Sequence, residues 1–364
     1  YFAEVCAYSV KDGREMLGER SQKVRFVPIS LKLTAQKVVC LDLGETAQLF
    51  WEEANRVPQA SFLSDAPEIV PVDTLGQITG KAEGTAHITI TSENRQTFVT
   101  RVEVGRDLSV RREKAVMMFT GDIMCAVKHQ RFASGHQHDY FDSFRRVRDI
   151  LSGADFTAGV LETTSIDRAP FEFEQLRLLT GAPNCNSPST FISAVAAAGF
   201  NAVVTANNHN SDCGVEGLKA VDSEIRRCGM LNIGSMGHSL VMTDVKGIKV
   251  AVIATTMITN NTGWDLSKSG LVNPAGIYSR DYFTELVNSA RRMGAEFIAA
   301  YQHWGSMNSP RIRKDQAEEA QFMADAGADL IIGSHPHMVQ RFSYIGAADG
   351  RLVPCAYSLG NFLT

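Results

Sequence analysis

The sequence predicts two folded parts of different class, an all-β sandwich followed by a larger α/β domain. Three observations carry this. Between residues 29 and 104, apolar and polar residues alternate in short runs, the period of half-buried strands. A charged stretch poor in apolar residues, Arg106 to Lys114, then interrupts the pattern and reads as a linker. Beyond it, short apolar runs trade places with stretches of helical period, as strands and helices do in an α/β domain. The chain has 364 residues, 44% of them apolar and 21% charged, which is enough for two cores. A net charge of −4 gives no basic field and argues against nucleic acid as the main partner. No apolar run approaches the ~20 residues that cross a bilayer. The chain opens on Tyr1 without a signal-peptide pattern and stops at Thr364. It therefore reads as an excised piece, from which an export signal or membrane anchor could be missing. Its seven cysteines are scattered with no Cys-x-x-Cys pair, the distribution of buried thiols rather than of a zinc knuckle.

Residues 1–28 hold patches such as Phe2 to Tyr8 and Val24 to Val27, unassigned beyond possible strands. The segment 29–105 is expected to be β throughout. Leu31 and Leu33, Leu41 and Leu43, Ala47 and Leu49, Val70 and Val72 alternate with polar neighbours. Ala86, Ile88 and Ile90 do the same, and Phe98, Val102 and Val104 close the series. Gly44, Gly76 and Gly84 punctuate the runs as turn residues. About seven short strands in about 75 residues suggest an immunoglobulin-like sandwich. The runs Leu43 to Leu49 and Val72 to Ile90 resemble the bacterial Ig-like repeat of surface proteins, which implies a spacer or adhesion module.

From residue 115 to 364 the elements follow in order. Val116 to Phe119 is a strand that ends at Gly121-Asp122. Phe141, Phe144, Val147, Ile150 and Leu151 share one face of a helix stopped by Gly153. Phe156 to Leu161 is a strand ending at Glu162; Phe191 to Ala198 is a helix; Ala202 to Thr205 is a strand ending at Asn207-Asn208-His209. Val215 to Cys228 is a helix and Val250 to Thr255 a strand. Asp281 to Met293 is a helix, and Phe297 to Tyr301 a strand ending at Gln302-His303-Trp304. Ala317, Ala320, Met323 and Ala324 face inward from the next helix, which Gly327 ends. Leu330 to Ile332 is a strand buried on both faces that delivers His335 and His337 around Pro336. Pro354 to Leu359 then leads into Gly360-Asn361-Phe362.

Five strand ends thus each deliver a hard oxygen or imidazole donor: Asp122, Glu162, Asn208 with His209, His303, and His335 with His337. One acidic residue at a strand end is ordinarily a helix cap. Five such ends in one domain are hard to explain by capping. Carboxylate, amide and imidazole donors together suit Mn, Fe or Zn better than calcium. Six groups exceed one tetrahedral shell, so two ions roughly 3.5–4 Å apart that share a carboxylate fit the number. His129, His136 and His138 lie in a polar stretch, and Arg311, Arg313 and Lys314 form a basic run. Both read as solvated segments.

The motifs Gly121-Asp-Ile-Met124, Leu161-Glu162, Ala206 to Gly214, His303-Trp-Gly305, Gly327 to His337 and Tyr357 to Phe362 resemble the CapA family. These are poly-γ-glutamate capsule biosynthesis proteins, similar in fold to calcineurin-like metallophosphatases. The resemblance implies an α-β-β-α domain, a β-sandwich flanked by helices with the site at one edge. It implies one or two divalent ions, with Glu162 bridging, Asn208, His303 and His335 at one position, and Asp122 and His337 at the other. His209 would be the acid that assists the leaving oxygen, with Asp122 also in the catalytic set. Asn207, Asp212, Trp304 and Asn361 would support these groups or touch substrate, although Asp212 is equally placed to cap the helix after it. Met124 stands where metallophosphatases carry a further histidine, so the Asp122 position is expected to bind more weakly. Val160 and Met307-Asn308 also depart from the family pattern. The implied function is that of a bacterial cell-surface or extracellular protein of capsule biosynthesis. It would act on an anionic polymer or phosphoester, beside capsule-synthesis membrane proteins. Two readings remain open, a metal-dependent hydrolase and a non-catalytic assembly or polymer-binding factor that keeps the fold.

Overall fold

The computed structural model describes residues 6–11, 14–20, 33–35, 38–53, 59–105, 115–134, 140–167, 185–260 and 265–364. The proposed linker, 106–114, lies outside them. The chain divides into two compact units, Tyr1–Arg111 with Gly350–Leu352 and Arg112–Asp349 with Val353–Thr364.

In the first unit every described element is a strand. β1 (Cys6–Lys11) pairs antiparallel with β2 (Arg14–Arg20). A four-stranded sheet runs β4 (Val38–Leu41), β10 (Thr97–Val104), β9 (Gly84–Ser92), β7 (Ala60–Ser64). Two smaller pairs join β3 (Leu33–Ala35) to β6 (Trp51–Glu53) and β5 (Thr46–Gln48) to β8 (Gln77–Thr79). Alternation has its expected result in β9, where Ala86, Ile88 and Ile90 are buried with Val102, Val104, Leu41 and Leu49. Leu43 departs from the expectation. It is 48% exposed, because residues 43 and 44 turn and Gly44 takes φ 85°, which ends the alternation after Leu41.

The second unit is built in four layers. One sheet, all parallel, runs β14 (Leu231–Ile233), β13 (Ala202–Val204), β12 (Phe156–Leu161), β11 (Met117–Ile123), β21 (Asn361–Leu363). The other runs β15 (Leu240–Val245), β16 (Ile248–Thr256), β17 (Phe297–His303), β18 (Leu330–Ser334), β20 (Leu352–Ala356), β19 (Phe342–Gly346). There β16, β17, β18 and β20 are parallel, with β15 antiparallel at one edge. Successive side chains point to opposite faces, and each strand feeds two cores. Val250, Val252 and Ala254 meet Phe156, Ala158 and Val160 between the sheets. Ala251 and Ile253 instead pack on Phe283 and Val287 of a helix. Inside the sandwich the buried Tyr301 hydroxyl reaches the carbonyls of Ala158 (3.1 Å) and Thr120 (3.3 Å) in the opposite sheet.

The helices are α1 (Val127–Ser134), α2 (Arg148–Leu151), α3 (Ser189–Ala197), α4 (Gly214–Arg227), α5 (Arg280–Arg292) and α6 (Lys314–Ala326). α3 and α4 cover the first sheet and α5 and α6 the second. Three expectations need correction. The helix expected over 141–151 is a 3-10 turn, Tyr140–Phe144, followed by the single turn of α2. The tighter turn resets the helical phase, so Phe144 and Leu151 are buried while Ile150 is 62% exposed. In α6 Ala317 is exposed and Gln316 is buried in its place. The Gln316 amide accepts from Arg313 N (2.9 Å) and donates to Gln340 (2.9 Å), which satisfies it. His129 lies on α1 rather than in a solvated segment. It is buried edge-on to Tyr140 and Phe191, 2.5 Å from Ser143 Oγ. Burial holds its pKa below the ordinary value, and the Met124 backbone carbonyl, as acceptor, pulls the other way. His136 and His138 fall outside the described residues. Among those residues no helix is long and apolar enough to cross a membrane, and Cys125, Cys185, Cys213, Cys228 and Cys355 are free thiols.

Candidate metal centre

Parallel strands send their C-terminal ends to one edge of a sheet, and both sheets of the second unit use this to gather polar groups. Asp122 is the penultimate residue of β11 and is fully buried. Its neighbour Gly121 lets β21 approach, since a Cβ there would strike the Gly360 carbonyl. Glu162 follows β12 directly, and its N–H donates to Ile123 O at 3.0 Å. Asn207 ties the turn after β13 to the strand that carries Glu162. Its amide donates to Leu161 O (2.8 Å) and accepts from His209 N (3.0 Å). His303 ends β17, where the parallel register sets it beside Ser334 of β18. Ser334 Oγ stands 2.8 Å from His303 Nδ1 and turns Nε2 toward the centre. His335 and His337 follow β18 with φ of 92° and 56°, left-handed conformations that cost side-chain-bearing residues about 1–3 kcal/mol.

These groups converge. His303 Nε2 lies 2.8 Å from Asn208 Oδ1 and 3.6 Å from Glu162 Oε1. His337 Nδ1 lies 3.1 Å from Asp122 Oδ2, and its Nε2 is 3.9 Å from Glu162 Oε2. The rings of His303 and His335 stand 4.8 Å apart between centroids. Asp122, Glu162 and His337 offer donor atoms within 4.8 Å of one another. Burial, and then the charge of Asp122, pushes the Glu162 carboxyl well above its usual range. Burial and the neighbouring histidines hold His303 well below the ordinary imidazole value, and His335 down to about 4. Burial pulls on His337 in the same direction, but the bond and charge of Asp122 outweigh it and the net shift is upward. The cluster is short of positive charge.

The residues present fit a cation. Asp122 Oδ1, both Glu162 carboxylate oxygens and His335 Nδ1 are buried without a hydrogen-bond partner, and an unsatisfied buried polar atom costs about 1–3 kcal/mol. Four such atoms in one place are the donors a divalent ion would satisfy. Of the groups that the sequence expects in support, Asn361 places Oδ1 2.7 Å from His337 Nδ1. Trp304 is fully buried, and its indole N–H donates to Tyr357 O at 2.9 Å. Asp212 does not cap α4, whose cap residue is Cys213. Its Oδ2 lies 2.7 Å from His209 Nδ1 and accepts from Cys185 N at 2.6 Å. Sequence reasoning missed Ser334, Cys185 and Asn260. Asn260 donates to Asp212 Oδ1 (3.2 Å) and accepts from Asn208 Nδ2 (3.0 Å). Only Ser334 had a legible signal, its place at the end of a strand beside His335.

Comparison with known proteins adds a separate line. Residues 116–364 match the family described as bacterial capsule synthesis protein PGA_cap. The "Capsule biosynthesis protein CapA" of Bacillus anthracis is 27% identical over 287 residues, 73% of this chain and 64% of that protein. The "PGA biosynthesis protein CapA" of Bacillus subtilis (strain 168) is 27% identical over 258 residues, 67% of this chain and 62% of that protein. The chain therefore spans somewhat less than two thirds of the length of either relative. A hypothetical protein from Thermus thermophilus is 15% identical, with 66% of this chain and 75% of that one covered. Its TM-score of 0.34 carries no argument. With the family match covering the whole α/β unit from its first strand to its last, the chain belongs to the PGA_cap family of bacterial capsule synthesis proteins.

Proposed function

We propose that residues 115–364 form a metal-dependent hydrolase of the phosphoester type. It would work in poly-γ-glutamate capsule biosynthesis at the bacterial cell envelope, with a bacterial Ig-like module at residues 29–105 as its spacer. The observation that carries the reading is the set of four unpartnered, buried donor atoms on Asp122, Glu162 and His335. Family membership and the names of the two CapA relatives support the capsule setting. In this reading Glu162 would be shared, Asn208, His303 and His335 would hold one position, and Asp122 and His337 would hold the other. One or two ions, Mn, Fe or Zn, would polarise the phosphoryl oxygens of a phosphoester or the groups of an anionic polymer. His209 presents Nε2 to the leaving oxygen, and Asp212 at Nδ1 holds the ring in that orientation. Asn207 keeps the turn that carries both Asn208 and His209 against β12. Capsule-synthesis membrane proteins are the partners this setting provides.

The test is calorimetric titration of Mn²⁺ and Zn²⁺ into the purified chain and its His303→Ala variant. Tight uptake by the wild type and its loss in the variant are expected, and equal affinity in both overturns the reading. Metal-dependent turnover of a generic aryl phosphate, lost in His209→Ala, is expected of the hydrolase. Metal uptake without turnover by any phosphoester would point instead to a non-catalytic assembly factor.

A further inference from the structure

We propose that Asn260 is a positioning residue which fixes the face that the Asn208 amide turns toward the metal centre; this rests on the metal reading above. Asn260 lies beyond β16, a central strand of the second sheet to which the sequence assigned no site residue. It grips Asn208 twice, through its N–H to Asn208 O (3.4 Å) and through Oδ1, which accepts from Asn208 Nδ2 (3.0 Å). On its other side, Asn260 Nδ2 donates to Asp212 Oδ1 at 3.2 Å.

The direction of this chain is set at one end. An ionised carboxylate only accepts hydrogen bonds, whereas an amide has one accepting and one donating end. The Asp212 carboxylate, fully buried and held by the Cys185 N–H, therefore obliges Asn260 to face it with NH₂. The Asn260 oxygen then faces Asn208, and the Asn208 NH₂ must turn to meet it. What remains is Asn208 Oδ1, aimed at the centre beside His303 Nε2 at 2.8 Å. A reversed Asn208 would present NH₂ there, a donor where a cation needs an oxygen. The same carboxylate holds His209 Nδ1 at 2.7 Å, and both nitrogens converge on it, which is why they stand 3.3 Å apart. One buried charge thus orients both the proposed ligand and the proposed acid, and Asn260 is the link to the ligand.

Calorimetric titration of Mn²⁺ into the full chain and its variants decides the matter. Asn260→Leu keeps the volume and removes the polarity, and should weaken binding about 10–100-fold, the range for groups that orient a ligand. Asn260→Asp still accepts from Asn208, although it loses the donor to Asp212, and should cost less affinity than Asn260→Leu. In an Asn208→Asp background either oxygen serves, so adding Asn260→Leu should cost less than about threefold. Equal losses with Leu and Asp at 260, or the full loss in the Asn208→Asp background, would mean that Asn260 only packs its loop and would overturn the inference. Wild-type affinity in Asn260→Leu would overturn it while leaving the metal reading intact. No uptake by the wild type would remove both.

Discussion

His335 and His337 both carry side chains on left-handed backbone, and His335 also buries an unpartnered ring nitrogen. Strain kept at a site marks a residue retained for what it does rather than for stability. Replacing His335 with Gly removes the strained φ and the orphan nitrogen together. The metal-free melting temperature should rise by about 2–4 °C, which corresponds to roughly 1 kcal/mol in a unit of this size. Added metal should no longer raise it further, and differential scanning calorimetry with and without Mn²⁺ checks both halves. A fall in the metal-free variant would show that the imidazole packs more than it strains. A second prediction concerns Tyr301, whose hydroxyl bonds carbonyls of the opposite sheet. Tyr301→Phe should cost about 1–2 kcal/mol in urea unfolding, the scale of a buried hydrogen bond, with metal affinity unchanged. At this scale most members of the candidate cluster were legible in the sequence. Asp122, Glu162, Asn208, His303 and His335 could be found because each lies at a strand's C-terminal end or within four residues beyond it, and parallel strands share an exit edge. Asn260 could not, since it sits in an irregular segment past Thr256, where only tertiary packing says what it meets.

Among the elements, β21 reaches the centre through Asn361, which bonds His337. It pairs with β11 at Asp122↔Asn361, and the Asp122 N–H donates to Gly360 O at 2.9 Å. The approach depends on Gly121, and Gly121→Ala should destabilise the second unit by about 1–3 kcal/mol, as overpacking does. A lower urea midpoint at unchanged slope is the readout, and an unchanged midpoint would show that the two backbones can part at little cost. Ending the chain at Ala356 would remove β21 and leave β11 as an open edge, and loss of soluble protein is expected. The strands were legible because their apolar runs are short and bounded. The helix expected over 141–151 was misread because periodicity assumes one continuous α geometry, and a 3-10 turn breaks it. β14, β15 and β19 were missed. They lie toward the sheet edges, where partial exposure blurs the apolar signal.

Across the whole molecule, every proposed ligand belongs to the second unit, which also holds its own three cores. Residues 115–364 produced alone should therefore fold and bind Mn²⁺ with the affinity of the full chain. A tenfold weaker isotherm would show that the first unit contributes to the site. Metal held by the folded state alone should also stabilise it, by about 2.7 kcal/mol at a hundredfold excess over Kd. The change of hydrophobic period near residue 105 was enough to suggest two parts. The pairing of β11 with β21 has one more consequence, for the order in which a ribosome releases this chain. Asp122 emerges on the first strand of its unit, while the strand beside it waits for Asn361. At about 5–20 residues per second, the carboxylate is made many seconds before its neighbour. By then all six proposed donors have been made, but the strand that sets Asn361 against His337 and Gly360 against Asp122 has not, so the proposed centre would be completed only once translation has passed β21.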